Sequence, residues 1–306
     1  MTRWTAADIA DLHGRIAVVT GANTGTGFET ARLLAEHGAT VVLACRDLEK
    51  AATAAARIGR GAQTLHLDLA SLASIRQAAA DLHRDYPKLD LLINNAGIMR
   101  PPYGRTEDGF ELQFGTNHLG HFAFTGLVLD LLHDVDGARV VTVTSPAHRQ
   151  PRGGIDFTDL QSEHKYRAGS AYGRSKLANL LFAYELQRRL EAAGARAVSL
   201  AAHPGGARTE LNRNMPVYTL ARGASWGIWR PITHPAEIGA LSVVRAAVDP
   251  AARGGEYYCP DGRMEFKGHP VRRESSAESH DADLQRRLWL RSAQLTGVRY
   301  DLVEHS

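Results

Sequence analysis

The chain has 306 residues, 44% of them hydrophobic and 23% charged, with a formal net charge of +3. This composition argues against a disordered chain, and basic residues scattered among acids argue against nucleic acid as a partner. Cys45 and Cys259 lie far apart and form no metal-type spacing, so no metal site is expected, and a reduced cytoplasmic setting explains them better than a disulfide framework. Residues 1–13 carry Asp8 and Asp11 and no long apolar core, so no secretory signal is expected. No run approaches the roughly 18–20 apolar residues of a spanning helix. The nearest, 122–132, contains Asp130, so no membrane anchor is expected.

Aliphatic and β-branched runs at 16–20, 40–44, 64–67, 89–93, 139–144 and 196–202 predict strands, and helical spacing at 28–37, 48–57, 72–86, 110–133 and 171–191 predicts helices between them. Such alternation implies parallel strands joined by right-handed crossovers. The strands read as nearly continuous apolar runs, which suits a sheet buried on both sides. The predicted fold is therefore α/β: a single-domain, Rossmann-type doubly wound sheet, mostly parallel, of about seven strands with helices on both faces. A cofactor half over about 14–145 and a catalytic and substrate half over about 146–306 are expected. Residues 146–169 read as a long loop, and 212–235 as an irregular lid containing Met215, Pro216, Trp226, Trp229 and Pro231. Beyond the lid, 254–260 reads as one more short strand and 283–295 as a terminal helix.

The first strand runs directly into Thr20-Gly21-Ala22-Asn23-Thr24-Gly25-Thr26-Gly27 and then a helix. Glycine lets a chain turn tightly and lets backbone approach a diphosphate, whose charge the helix N-terminus favours. By itself the run could be a ligand-free turn; its place after the first strand of an alternating chain points to a nucleotide. A site that prefers NAD usually carries an acid about 20 residues past the glycines, to bond the ribose 2′-hydroxyl. Here Cys45 is followed by Arg46. A guanidinium with no carboxylate to repel a 2′-phosphate favours NADP(H), with NAD(H) as the second option. Asp47 could instead pair with Arg46.

With the segments Ala44–Asp47, Asp68–Leu69, Asn94–Gly97, Asn117–Phe122, Ser145, Tyr172–Asn179 and His203–Gly205, the sequence resembles the short-chain dehydrogenase/reductase family over essentially its whole length. It is most similar to the branch of retinol dehydrogenase-like and WW-domain oxidoreductase-like enzymes. Each motif is short, and their order on successive strand ends makes the signal. The resemblance implies that Asp68 and Leu69 contact the adenine. It also implies that Asn94 and Asn95, with Ala96 and Gly97, line the adenosine ribose and brace the sheet. Pro204, Gly205, Ala207 and Thr209 would hold the nicotinamide carboxamide. Thr26 stands where the family usually has isoleucine, and Thr144 where serine is common. Vertebrate retinol enzymes often carry a membrane anchor, which is not expected here, so the retinoid substrate is not carried over.

Tyr172 and Lys176 are four apart and share a helix face. A tyrosine pKa of about 10 is too high for ready proton exchange near neutrality. A nearby ammonium and a cationic nicotinamide would favour the phenolate. Tyr172 would then give a proton to a carbonyl oxygen, or take one from an alcohol, while Ser145 orients that oxygen. The family pattern implies that Asn117 positions Lys176 through a water-connected relay. The segment 153–167 is expected to edge the substrate pocket. His118, His121, His148 and His203 show no metal or triad spacing and are expected to pack. Met215, Trp226 and Trp229 would form an apolar lid or, equally, a core or subunit-contact patch.

The expected function is NADP(H)-dependent hydride transfer at a carbonyl or alcohol carbon of an apolar small molecule. Self-association stays open. A non-catalytic cofactor-binding regulator or a sugar-nucleotide epimerase/dehydratase remains as an alternative. The regulator could dispense with Tyr172, and the epimerase usually has a larger C-terminal domain than the roughly hundred residues after His203.

Overall fold

The computed structural model describes residues 3–59, 61–150, 154–206 and 234–302. Among them, β1 Ile16–Thr20, β2 Thr40–Cys45, β3 Ala62–His66, β4 Leu91–Asn94, β5 Arg139–Val143, β6 Val198–Ala202, β7 Tyr257–Pro260 and β8 Pro270–Arg273 form one sheet. The strand order is β3-β2-β1-β4-β5-β6-β7-β8. The first seven strands pair in parallel and β8 returns antiparallel to β7. The order reverses between β1 and β4, and the crevice at such a switch point is where open α/β sheets bind ligands.

Apolar strand residues are buried on both faces because helices cover both. Val19, Leu43, Ile93, Val141 and Leu200 pack on one side with α1 (Gly25–Glu36), α2 (Leu48–Ile58) and α7 (Ala236–Val248). Val18, Val42, Leu92 and Val140 pack on the other with α3 (Leu72–Asp85), α5 (Gly120–Val128) and α6 (Ala168–Ala192). The terminal helix α8 (Ala282–Thr296) lies over α6, stacking Trp289 on Phe182 with centroids 5.8 Å apart. Asp47, Ser71 and Asp281 cap α2, α3 and α8 by accepting backbone N–H bonds from Lys50, Ser74 and Leu284.

Three features depart from the sequence expectation. The predicted helix over 110–133 is broken into α4 (Leu112–Phe114), a π-turn (Gly115–Leu119), α5 and a closing 3-10 turn (Leu129–Leu131). A π-turn inserts a residue into the helical ladder and recurs at functional sites; here it carries Asn117. Helix α7 did not stand out because its sequence is apolar on nearly every side, with Ala240, Val243, Val244 and Ala247 all buried. Such a helix has no amphipathic stripe to read. Strand β8 is an eighth strand, four residues long with Arg272 and Arg273 exposed, and so lacks an apolar run. The proposed lid residues Met215, Pro216, Trp226, Trp229 and Pro231 lie outside the described residues.

Candidate active site

The glycine loop leaves β1 at the switch point. Gly21 (φ 66°) and Gly25 (φ 59°) take the left-handed backbone that glycine tolerates without strain. Gly27 is tied to its place by packing, since a Cβ there would collide with the Asn95 amide and lie 2.5 Å from the Gly21 carbonyl oxygen. Asn95 in turn donates to the Thr20 carbonyl at 2.8 Å. The Thr20 hydroxyl oxygen accepts from the backbone of Asn95 and Ala96, each at 2.9 Å, so β1 and β4 end as one locked unit. Gly27→Ala should therefore cost about 1–3 kcal/mol, the scale of overpacking a filled core, and weaken coenzyme binding as Asn95 is displaced. Urea unfolding and a coenzyme titration check both, and an unchanged midpoint would contradict the packing argument.

The other loop residues sit around this unit. Thr26 is buried, Asn23 is half-buried and Thr24 is exposed. The Cys45 sulfur faces the backbone amides of Ala22 and Asn23, and burial pushes its thiol up to about 11, so it is a packing group. Arg46 is exposed. Asp47 caps α2 and pairs with Lys50 at 2.7 Å, so it is engaged away from Arg46. Asp68 is half-buried and its carboxylate accepts from Ala70 N at 2.9 Å, while Leu69 is buried. Asn94 is fully buried and donates to Thr125 on α5 at 2.9 Å, a bracing contact. Gly205 (φ 75°) turns the chain just after β6, and its N–H donates to the ring of His203 at 3.0 Å. Ala207 and Thr209 lie outside the described residues.

Across the sheet end, β5 and α6 bring Ser145, Tyr172 and Lys176 together. Ser145 caps the 3-10 turn Pro146–Arg149, and its side chain stands near enough to the Tyr172 hydroxyl to ease the phenol's ionisation. One turn on, Lys176 donates from Nζ to the Val143 carbonyl at 3.1 Å and lies 5.8 Å from the centre of the Tyr172 ring. Thr144 Oγ1 donates to the Lys176 carbonyl at 2.8 Å and Asn179 donates to Val143 O at 3.0 Å, fastening α6 to β5. Tyr172 and Lys176 are both almost fully buried. Burial pushes the Tyr172 phenol up to about 12, against smaller opposing pulls from the Ser145 side chain and the Arg100 charge. Burial also lowers Lys176 to about 8. The ammonium lies over the ring, and the low dielectric around both side chains opposes the charged form of each.

Asn117 projects from the π-turn and behaves like a strand edge. Its Oδ1 accepts from Ile98 N at 2.8 Å and its Nδ2 donates to Ile98 O at 3.0 Å. Nδ2 also donates to Ser175 Oγ at 3.0 Å, and Ser175 donates to the Tyr172 carbonyl at 2.8 Å. Gly97 lies between the two expected relay partners: a Cβ there would be 3.2 Å from Asn117 Oδ1 and 3.5 Å from Lys176 Nζ. Sequence reasoning did not single out Ser175, Thr20 or the bridging part of His121. The His121 Nδ1–H donates to Asn117 O at 2.9 Å, and its Nε2 accepts from the Thr20 hydroxyl at 2.9 Å. One buried ring therefore joins the glycine-loop strand to the π-turn. The motif residue was visible, but its partners are set only by the fold.

His118 meets Ser292, and His148 donates to the Ser145 carbonyl at 2.7 Å while accepting from Ser276 N at 3.2 Å. Among the described residues, no group of three or more His, Cys, Asp or Glu side chains could hold a metal, and no helix is long and apolar enough to cross a membrane. The described part of the segment after Ser145 buries Ile155 and Leu160 against Phe114, Leu177 and Leu181. Arg174 on α6 holds it through Asp159 O and Ser162 Oγ.

A glycine loop at the switch point of one doubly wound sheet, with serine, tyrosine and lysine meeting across it, places the chain in a class of α/β oxidoreductases. The family described as short chain dehydrogenase matches residues 15–217, and the chain belongs to this short-chain dehydrogenase/reductase family. It is of the retinol dehydrogenase-like kind: human retinol dehydrogenase 13 is 43% identical over 301 residues, covering 94% of this chain and 86% of that protein. A crystal structure of an uncharacterized protein from Mycobacterium paratuberculosis is 41% identical with a TM-score of 0.82, covering 98% of this chain and all of that one. A Pseudomonas aeruginosa RhlG/NADP active-site complex is 28% identical with a TM-score of 0.61, covering 81% and 94%.

Proposed function

We propose that the chain is an NADP(H)-dependent oxidoreductase that interconverts a carbonyl and an alcohol on a substrate with an apolar body. The observation that carries this reading is the meeting of Ser145, Tyr172 and Lys176 at the end of β5, beside Asn117 and Gly97. The residues fit a nicotinamide coenzyme. Gly21, Gly25 and Gly27 keep side chains clear of a diphosphate path, and Asn23, Thr24 and Thr26 flank it. Exposed Arg46 would take a 2′-phosphate, since Asp47 is committed to Lys50. Asp68 and Leu69 would border the adenine, Asn95, Ala96 and Gly97 its ribose, and Pro204, Gly205, Ala207 and Thr209 the carboxamide. When bound, the coenzyme supplies or accepts the hydride.

The chain's own groups do the rest. Ser145 holds the substrate oxygen by a hydrogen bond, and Tyr172 moves a proton at its phenolic oxygen. Lys176 places positive charge beside the phenol, and Asn117 fixes the backbone from which Lys176 is approached. Cys45 and Cys259 are buried free thiols, which suits a cytoplasmic setting. The RhlG complex with NADP and the retinol dehydrogenase relatives support the coenzyme and the alcohol/carbonyl chemistry.

The test is oxidation of NADPH with a panel of aldehydes and ketones, read beside NADH. Net oxidation with a preference for NADPH is expected, and Arg46→Asp should turn that preference toward NADH by about tenfold or more, the loss of one charge-assisted phosphate contact. Binding without turnover would point to a regulator, and catalysis without net oxidation to an epimerase. An unchanged preference in the variant would remove Arg46 from the 2′-phosphate.

A further inference from the structure

Arg100 takes no part in the chemistry above, yet its setting is unusual. Its backbone lies in the left-handed region, φ 53°, which a non-glycine residue keeps only where its surroundings hold it there. Those surroundings form a closed set of hydrogen bonds. Gln113, fully buried, accepts from Arg100 N at 2.8 Å and donates to the Tyr166 hydroxyl and the Ala168 carbonyl, each at 3.0 Å. Tyr166 donates to Pro101 O at 2.7 Å. The chain after β4 is thus clamped against the start of α6.

The side chain reaches the same helix. A Cβ on Gly169 would lie 3.7 Å from Arg100 Nε. Gly169 stands three residues before Tyr172, on the same face of α6, and the guanidinium charge acts on the Tyr172 phenol. Arg100 Nε is buried with no hydrogen-bond partner, and among the described residues the guanidinium forms no ion pair. A buried donor without an acceptor is costly, and a guanidinium is matched best by a carboxylate. Among the described residues, no carboxylate is paired with the guanidinium.

We infer that Arg100 is a specificity-determining residue that receives a carboxylate on the substrate, so that the preferred carbonyl compounds are oxo acids with an apolar body. This rests on the oxidoreductase reading above and adds the chemical class of substrate.

A homologous series of ω-oxo carboxylates, each paired with its methyl ester, tests this with NADPH as reductant. In the unmodified enzyme kcat/KM should favour acid over ester at one or more chain lengths. Arg100→Met should lower that ratio by about tenfold or more, as loss of a hydrogen bond to a charged group does, and Arg100→Lys should keep part of it. Acid and ester are read on the same preparation, so any loss of folded enzyme cancels in the ratio. Equal use of acid and ester by the unmodified enzyme overturns the assignment and leaves the oxidoreductase reading intact. So does a ratio unchanged in Arg100→Met, or a fall confined to the KM for NADPH, which would place the guanidinium on the coenzyme. No oxidation of NADPH with any member, where the aldehyde and ketone panel supports it, overturns this assignment alone, and no oxidation with either set overturns the oxidoreductase reading as well.

Discussion

Tyr172→Phe should lower kcat for carbonyl reduction by about 10²-fold or more while leaving NADPH affinity within a few-fold. The magnitude is that of a positioned general acid, typically 10²–10⁴-fold. The substitution removes one oxygen and keeps the ring, so the packing of this buried side chain on α6 is retained and the loss is chemical. Ser145 loses that neighbouring hydroxyl but keeps its backbone capping role, with Ala147 N donating to its Oγ. The direction of the Tyr172 shift adds a second expectation. A phenol pushed up to about 12 carries its proton at neutral pH, which suits donation to a carbonyl oxygen. Alcohol oxidation needs the phenolate and should gain rate as pH rises. Single-turnover reduction and a coenzyme fluorescence titration separate chemistry from binding. Residual turnover within tenfold of the unmodified enzyme would mean that the proton comes from elsewhere.

Acidification from pH 7.5 to 5 should destabilise the fold by several kcal/mol, well before most carboxylates take up protons. Burial lowers His118 and His203 to about 3 and His121 and His148 to about 4, below the ordinary 6.5. A depressed histidine means that the unfolded chain binds protons the folded chain refuses. The stability held by the neutral rings is complete above about 6.5 and drains as pH falls toward the folded values. At pH 5 each ring contributes a loss of about 2 kcal/mol. Four such losses are comparable with the roughly 5–15 kcal/mol that holds a domain together. Two of the rings also carry the site: His121 ties Thr20 to Asn117, and His148 holds the Ser145 carbonyl. Urea midpoints across this range measure the effect, and a flat profile would mean that the rings reach water or a counter-charge when protonated.

Most of the sheet was legible because each central strand is a short apolar run closed by a turn residue. The site was legible to the extent that its residues stand at strand ends. Ser145 after β5 and Gly21 after β1 are of this kind, as is the Tyr172–Lys176 pair with helical spacing. What escaped depended on partners distant in the chain. The break in the helix over 110–133 follows from Asn117 satisfying Ile98, a contact invisible in local periodicity. Helix α7 was hidden by being buried on most sides, and β8 by consisting largely of charged residues. The charges near Tyr172 can be read from spacing, whereas the desolvation that raises its phenol depends on everything packed around it.

The strand β8 bears on how copies of the chain can meet. It is short, runs against its neighbour and ends in two exposed arginines, one of them bonded to Glu256 at 2.8 Å. At the opposite border, β3 turns Gln63, Thr64 and His66 to water. Neither margin offers the long, oily ribbon on which a foreign strand could add itself. Among the described residues, a contact that extends the sheet from one molecule into the next is therefore disfavoured at both borders.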